Sequence, residues 1–128
     1  MLVRTPSKLE GVPWHDQVDV VEGDLSSAED TEAAFQGVHT VFYLVHSMGS
    51  GSDFEEQERD TARLVATSAE RAGASRLVYL GGLHPEGVEL STHMRSRTAV
   101  GKVFLDSAVP AIVFQAGVVI GSGSASFE

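Results

Sequence analysis

The chain has 128 residues and a mass of 13.6 kDa, which limits it to one domain at most. Hydrophobic residues make up 42% of it and the mean hydropathy is +0.01, so a buried core is expected and disorder is not. With 9 basic and 18 acidic residues the net charge is −9, which disfavours nucleic acid and anionic membranes as partners. The lack of cysteine excludes disulfides and thiol chemistry.

No apolar run approaches the length of a membrane-spanning helix, and the first residues, MLVRTPSKLEG, lack the apolar core of a signal peptide. These features predict a soluble, cytoplasmic protein without a membrane or nucleic-acid partner. The histidines show no spacing typical of metal ligands, so no metal site is predicted.

The N-terminal segment predicts two strands joined by a loop. Residues 1–4 resemble the end of a strand, which Pro6 stops because proline cannot donate to a strand ladder. Residues 7–14 then predict a loop or a short helical turn. A second strand is predicted at 18–21, where the letters VDVV precede the turn EGD.

A short helix should follow this second strand. Ser26 and Glu29 have the spacing of a capping box, in which a hydroxyl and a carboxylate each accept a hydrogen bond from a free backbone N–H at the start of a helix. The helix is expected to run to about residue 36. Gly37 would end it.

The central stretch predicts a strand, a long helix and a second strand. Short runs rich in β-branched and aromatic residues lie at 41–45 and 77–80. Between them, Ser52 and Glu55 form a capping box, and Gly73 supplies a residue suited to ending the helix. The face of this helix expected to lie on the sheet consists of Phe54, Ala62, Val65, Ala69 and Ala72.

The C-terminal segment adds a helix and a strand. Ser91 should cap a helix that runs to about residue 107, and Pro110 precedes a strand at 111–114 that continues to 118–120. The buried face of the helix is expected to contain Val100, Val103, Phe104 and Ser107. Alternation of strands and helices, with strands apolar on both sides, predicts an α/β fold with a doubly wound parallel sheet covered on both faces.

Several segments together carry a resemblance to a known family: VRTPSKL, VVEGDL, VFYLVHSM, RLVYLGGL, SxHxRSRxxVGxxL and VVIGSGSASFE. They resemble the second to sixth strands and the active-site helix of the short-chain dehydrogenase/reductases, most of all the atypical, extended-type branch that includes NmrA-like proteins. The family's first strand and glycine-rich phosphate turn have no counterpart here. The resemblance therefore implies an incomplete Rossmann-like domain over residues 1–128, a fragment whose sheet lacks its central strand.

The resemblance also implies where a dinucleotide would bind. Arg4 follows the family's second strand, where a basic residue pairs with the 2′-phosphate of NADP and an acidic one favours NAD. NADP is therefore expected, with NAD as the alternative. Asp24 and Leu25 end the third strand, where family members hold the adenine ring. The alternatives are a solvated surface arginine and an aspartate that caps a turn or the following helix.

The end of the fourth strand would face the ribose on the nicotinamide side. Leu44, Val45 and His46 occupy this position by resemblance. The rule that ligands bind at the carboxyl ends of strands in open α/β sheets supports it independently. The alternative for Leu44 and Val45 is ordinary core packing, which leaves the strand end around His46 as the more plausible contact.

The family's catalytic positions are altered. By resemblance, His93 occupies the position of the tyrosine, Arg97 that of the lysine, and Gly81 and Gly82 that of the serine. His93 would then meet the substrate and Arg97 would hold the ribose or a phosphate of the cofactor. Histidine can transfer protons near neutral pH, whereas arginine stays charged and cannot act as a base. The alternative is a polar helix surface without catalytic function.

Three functional interpretations stay open from the sequence. The first is an NAD(P)-binding oxidoreductase or epimerase-type protein that acts on a small molecule. The second is a non-catalytic, NADP-sensing regulatory protein of the NmrA-like kind, favoured by the altered catalytic positions. The third is a truncated product without independent activity. Unpaired strand edges would also let the protein form a homo-oligomer.

Overall fold

The computed structural model describes residues 1–45, 52–84, 87 and 89–121. In chain order the described elements are β1 (Leu2–Val3), β2 (Val21–Glu22), α1 (Ala28–Ala34), β3 (Thr40–Tyr43), α2 (Ser52–Arg71), β4 (Arg76–Gly82), α3 (Thr92–Leu105) and β5 (Ala111–Ala116). Short 3-10 turns at Pro6–Leu9 and His15–Gln17 lie in the first loop. None of the described helices is both long enough and apolar enough to span a membrane.

The strands form two separate parallel sheets. β1 pairs with β2, and β4 lies between β3 and β5. In the larger sheet Val41, Leu77 and Ala111 are in register. Over the described ranges no strand bonds to the outer edge of β3. The predicted incomplete parallel α/β sheet is therefore confirmed, and its strands are divided between two sheets.

Two strands are shorter than predicted. β2 contains Val21 and Glu22 rather than residues 18–21, because β1 offers it a partner of only two residues. β5 ends at Ala116, so the predicted continuation through 118–120 is wrong. The last residue of β4, Gly82, is opposite Ala116, and beyond that point the ladder has no partner strand in the described chain.

The predicted capping box of α1 is displaced by one residue. Ser27, not Ser26, is the cap, and its hydroxyl accepts the amide N–H of Asp30 at 3.2 Å. Ser26 instead donates its amide and its hydroxyl to the carboxylate of Asp24, at 2.8 and 2.7 Å. Because this turn already engages Ser26, the predicted pairing of Ser26 with Glu29 is wrong.

The limits of the two longer helices agree with prediction. Ser91 caps α3 by accepting the amide N–H of Met94 at 3.4 Å. Gly73 follows α2 with a φ of +75°, a conformation that L-residues with a side chain rarely adopt. The predicted Ser52–Glu55 box depends on the Ser52 side chain, which lies outside the described part of the chain.

The core lies between the larger sheet and helices α2 and α3. Most of each predicted helix face is confirmed: Phe54, Ala62, Val65 and Ala69 of α2, and Val100 and Phe104 of α3, are buried. Of the other predicted positions, Val103 is partly buried, and Ala72 and Ser107, also partly buried, follow the ends of their helices. At its centre the Phe104 ring lies 5.0 Å from that of Tyr43 and 5.6 Å from that of Tyr79, measured between ring centroids.

The opposite face of the larger sheet carries no helix among the described residues. Phe42, Leu80, Ile112 and Phe114 lie on this face and are exposed, Phe42 by 65%. The prediction of helices on both faces is therefore met on one face only in this part of the chain.

We expect Gly23→Ala to lower the free energy of unfolding by about 1–3 kcal/mol. A Cβ at this position would lie 2.8 Å from Cβ of Asp30 and 3.0 Å from Cδ1 of Leu2, too close for unstrained packing. Urea denaturation measures the change. Gly117→Ala is the matched control, because a methyl group added there would have no heavy atom of the described chain within 4 Å. Equal effects of the two substitutions would show that Gly23 is not tightly packed.

Candidate functional site at the carboxyl ends of the strands

Within each sheet the strands are parallel, so their carboxyl ends lie along one edge. In open α/β sheets this edge is where ligands bind. The turns and the helix that follow the strands carry the predicted site residues Arg4, Asp24, Leu25, Leu44, Val45, His93 and Arg97. His46, also predicted, lies outside the described residues.

The structure brings Arg4 and Asp24 close enough to interact electrostatically. The pKa of Asp24 is lowered mainly by the amide and hydroxyl of Ser26, which both donate to its carboxylate. Partial burial opposes this shift, and the positive charge of Arg4 lowers the pKa further. One oxygen of Asp24 thus serves the turn, in line with the alternative interpretation of this residue, while Arg4 is exposed.

The apolar residues at these strand ends differ in burial. Leu25 is partly buried and packs against the core, so part of its surface is structural. Leu44 and Val45, after β3, are 60% and 50% exposed. The alternative of ordinary core packing therefore does not hold for Leu44 and Val45 in the described chain, and they form an open apolar surface.

The two predicted residues of α3 have different neighbours. His93 is exposed, and its ring meets the ring of Phe54 edge-on at a centroid distance of 5.7 Å. Arg97 instead lies over β4, where a Cβ on Gly82 would be 3.4 Å from its Cδ, an ordinary van der Waals distance. One helical turn separates His93 and Arg97 along α3, and each has a different neighbour.

Two buried tyrosines were not singled out in the sequence. Burial raises the pKa of Tyr79 to about 12, although the positive charge of Arg97 acts against the shift and Glu58 adds to it. Burial, Glu58 and Tyr79 raise the pKa of Tyr43 well above its usual range. Both belong to the core, and neither can release a proton near neutral pH. In the sequence both tyrosines stand among apolar strand residues, and this pattern did not indicate which side of the strand is buried.

A groove of about 170 Å³ lies between α3 and the ends of β4 and β5. We call it the α3 groove; its polar lining comprises His84, Arg97, Thr98, Lys102 and Gln115. Nε2 of His84 and Nε2 of Gln115 are 3.3 Å apart. The sequence indicated only Arg97, since the others come from segments without a recognisable motif.

Comparison with known proteins adds a family model described as NAD(P)H-binding, which matches residues 1–108. A curated relative, the 3 beta-hydroxysteroid dehydrogenase/Delta 5-->4-isomerase of Mycobacterium tuberculosis, is 34% identical over 86 residues. That match covers 59% of this chain and 22% of the relative.

Solved structures with a similar fold include the triphenylmethane reductase of Citrobacter sp., with a TM-score of 0.73 and 18% identity over 89% of this chain and 38% of that one. Another is the NADPH-dependent quinone oxidoreductase QOR2 of Escherichia coli complexed with NADPH, with a TM-score of 0.70, 20% identity and the same coverage. The chain thus spans less than two fifths of these structures. At such identities the likeness concerns the fold, and it confirms the predicted Rossmann-like architecture.

Proposed function

We propose, from the premise that this chain belongs to the NAD(P)H-binding family, that residues 1–128 form part of the cofactor-holding domain of a reductase- or epimerase-type protein. The family membership confirms the predicted cofactor class. Because the chain covers 22% and 38% of the relatives described above, the reaction and substrate belong to the proposal. The observation that carries it is the placement of Arg4 and Arg97 at the carboxyl edge of the sheets.

The residues present fit a dinucleotide. The exposed guanidinium of Arg4 can bind a phosphate in bidentate fashion, so we propose that it holds the 2′-phosphate and favours NADP over NAD. Asp24 and Leu25 would lie on the adenine side. This assignment uses the carboxylate oxygen of Asp24 that the Ser26 turn does not occupy.

The other half of the dinucleotide would lie at the ends of β3 and β4. The exposed surface of Leu44 and Val45, which His46 follows in the sequence, would face the ribose on the nicotinamide side. Arg97, which lies over the end of β4, would hold that ribose or a phosphate. When bound, the reduced cofactor supplies a hydride. Of the residues in the altered catalytic positions, His93 is the one whose side chain could donate or accept a proton.

A non-catalytic, NADP-sensing function is the second candidate. The altered catalytic positions favour it, and so does the ring of His93, which packs against Phe54. Titration with NADPH followed by an assay of carbonyl reduction separates the candidates. Binding with turnover supports the reductase, binding without turnover supports the sensor, and a folded chain that does not bind NADPH would contradict both.

We expect Arg4→Ala to weaken NADPH binding by roughly 10- to 100-fold, because a charge-assisted contact to phosphate contributes about 1.5–3 kcal/mol. NADH lacks the 2′-phosphate, so its affinity should change by less than about twofold. Fluorescence titration with both cofactors measures the two effects. Arg76→Ala is the matched control, since Arg76 is an exposed arginine at the amino end of β4. An equal loss for NADPH and NADH would exclude the assigned role of Arg4.

A further inference from the structure

The α3 groove is a half-open depression of about 170 Å³, which leaves room for one small polar group of a ligand. Gly82 and Val113 contribute to its lining from β4 and β5, and α3 forms a wall. The stem of Arg97 lies over the strand end, where a Cβ at residue 82 would be 3.4 Å from its Cδ.

The groove is positive in a protein that is strongly negative. The chain carries a net charge of −9, yet Arg97, Lys102 and His84 line the groove and no carboxylate of the described chain does. Among the described residues three other arginines form ion pairs with carboxylates, whereas Arg97 and Lys102 form none. A concave, positive surface with low-dielectric walls concentrates anions.

The position of the groove separates it from the proposed 2′-phosphate contact of the cofactor. Arg4 follows β1, in the smaller sheet, whereas the groove lies at β4 and β5, away from the free edge of β3. Arg97 is shared between the groove and the end of β4. A ligand in the groove would therefore lie beside the part of the cofactor that the proposed function assigns to the ends of β3 and β4.

We propose that the α3 groove binds the carboxylate or phosphate group of an anionic small-molecule substrate. Arg97 and Lys102 are the charged donors, and the Gln115 amide and His84 complete the polar rim. Lys102, His84 and Gln115 act as specificity-determining residues, because they would contact the anionic group of the substrate. That the ligand is a substrate rests on the proposed function; the binding of an oxyanion does not.

The test uses inorganic phosphate and benzoate as probes. Their binding to the whole chain is measured by NMR, through shifts of the amide resonances of Gly81, Gly82 and Gln115. We expect Lys102→Met to weaken both probes by about fivefold or more, because it removes one of two charged donors. Lys8→Met is the matched control, because Lys8 is the other lysine of the chain and is exposed. It lies in the 3-10 turn near the N-terminus, remote in sequence from the groove. Gln115→Glu adds a negative charge to the rim and should weaken the binding of both probes. This variant tests the groove independently of Lys102→Met.

The cofactor decides between the two sources of an oxyanion. If the groove holds a substrate anion, saturating NADPH leaves phosphate bound; if it holds a phosphate of the cofactor, NADPH displaces phosphate and the substrate assignment is overturned. If the chain binds NADPH but neither probe, the α3 groove is not an anion site, and the proposed function is unaffected. A chain that binds the probes but does not bind NADPH contradicts the proposed function alone. Equal effects of Lys102→Met and Lys8→Met also overturn the groove.

Discussion

Phe104→Ala is expected to lower the free energy of unfolding by about 3–5 kcal/mol. The Phe104 side chain is 0% exposed and packs against the rings of Tyr43 and Tyr79. Truncation would remove its apolar surface from the core and leave a cavity between α3 and the larger sheet. Since small domains are stable by about 5–15 kcal/mol, such a loss would unfold a large fraction of the protein in mild denaturant.

Phe114→Ala provides the matched control for this prediction. Phe114 is also a phenylalanine that contributes to the larger sheet, but it lies on the face without a described helix and is 55% exposed. We expect its truncation to change the free energy of unfolding by about 1 kcal/mol or less. Equilibrium denaturation followed by circular dichroism compares the two variants. Comparable losses would show that the face containing Phe114 is covered in solution.

This pair of residues shows how far the sequence could predict the core. The period of α3 placed Phe104 on a buried face, because positions three and four apart lie on one side of a helix. Residues 111–114 predicted a strand but not its covered side. Phe114 and its neighbour Val113 are both apolar, and only the helix that packs on one face distinguishes them. Which face of a strand is buried depends on elements remote in the sequence.

The candidate site was predictable to the extent that it follows strand direction. Arg4, Asp24 and Leu44 could be assigned to one kind of edge because each follows a strand of a parallel sheet. The α3 groove could not, because it combines Lys102 on α3 with Gln115 on β5, and no local pattern relates them. Competition between neighbours also escaped prediction, as when Asp24 engages the serine expected to cap α1.

The absence of a serine at the end of β4 has a structural counterpart. The resemblance identified Gly82 as a replaced catalytic position, which on its own indicates lost chemistry. In the structure a Cβ at residue 82 would be 3.1 Å from Cε of Met94, a tight distance, and 3.4 Å from Cδ of Arg97, an ordinary contact. The two altered positions, glycine and arginine, are therefore neighbours in the structure.

The tyrosines of the folded protein are expected to stay protonated when the pH rises past 10. The chain has two tyrosines, and both are buried, Tyr43 and Tyr79. Burial raises the pKa of Tyr79 from 10.0 to about 12 and that of Tyr43 further. Because no exposed tyrosine contributes, the near-ultraviolet absorbance of tyrosinate should stay flat near pH 10 in native protein. In denaturant it should rise near pH 10, the ordinary value.

The same shifts predict the direction of alkaline destabilisation. A pKa raised by folding means that the unfolded chain loses its protons first, so the stabilising effect is complete below pH 10 and is lost as the pH rises towards 12 and beyond. Tyr79→Phe should therefore flatten the fall of the unfolding free energy between pH 10 and 12.

Arg97→Met should raise the pKa of Tyr79 further, since it removes the positive charge that opposes the shift. Arg97 does not act directly on the pKa of Tyr43, so that pKa should change less. Tyrosinate absorbance that appears near pH 10 in the folded protein would show that the rings reach water, and the packing of α2 and α3 on the sheet would then be looser than described.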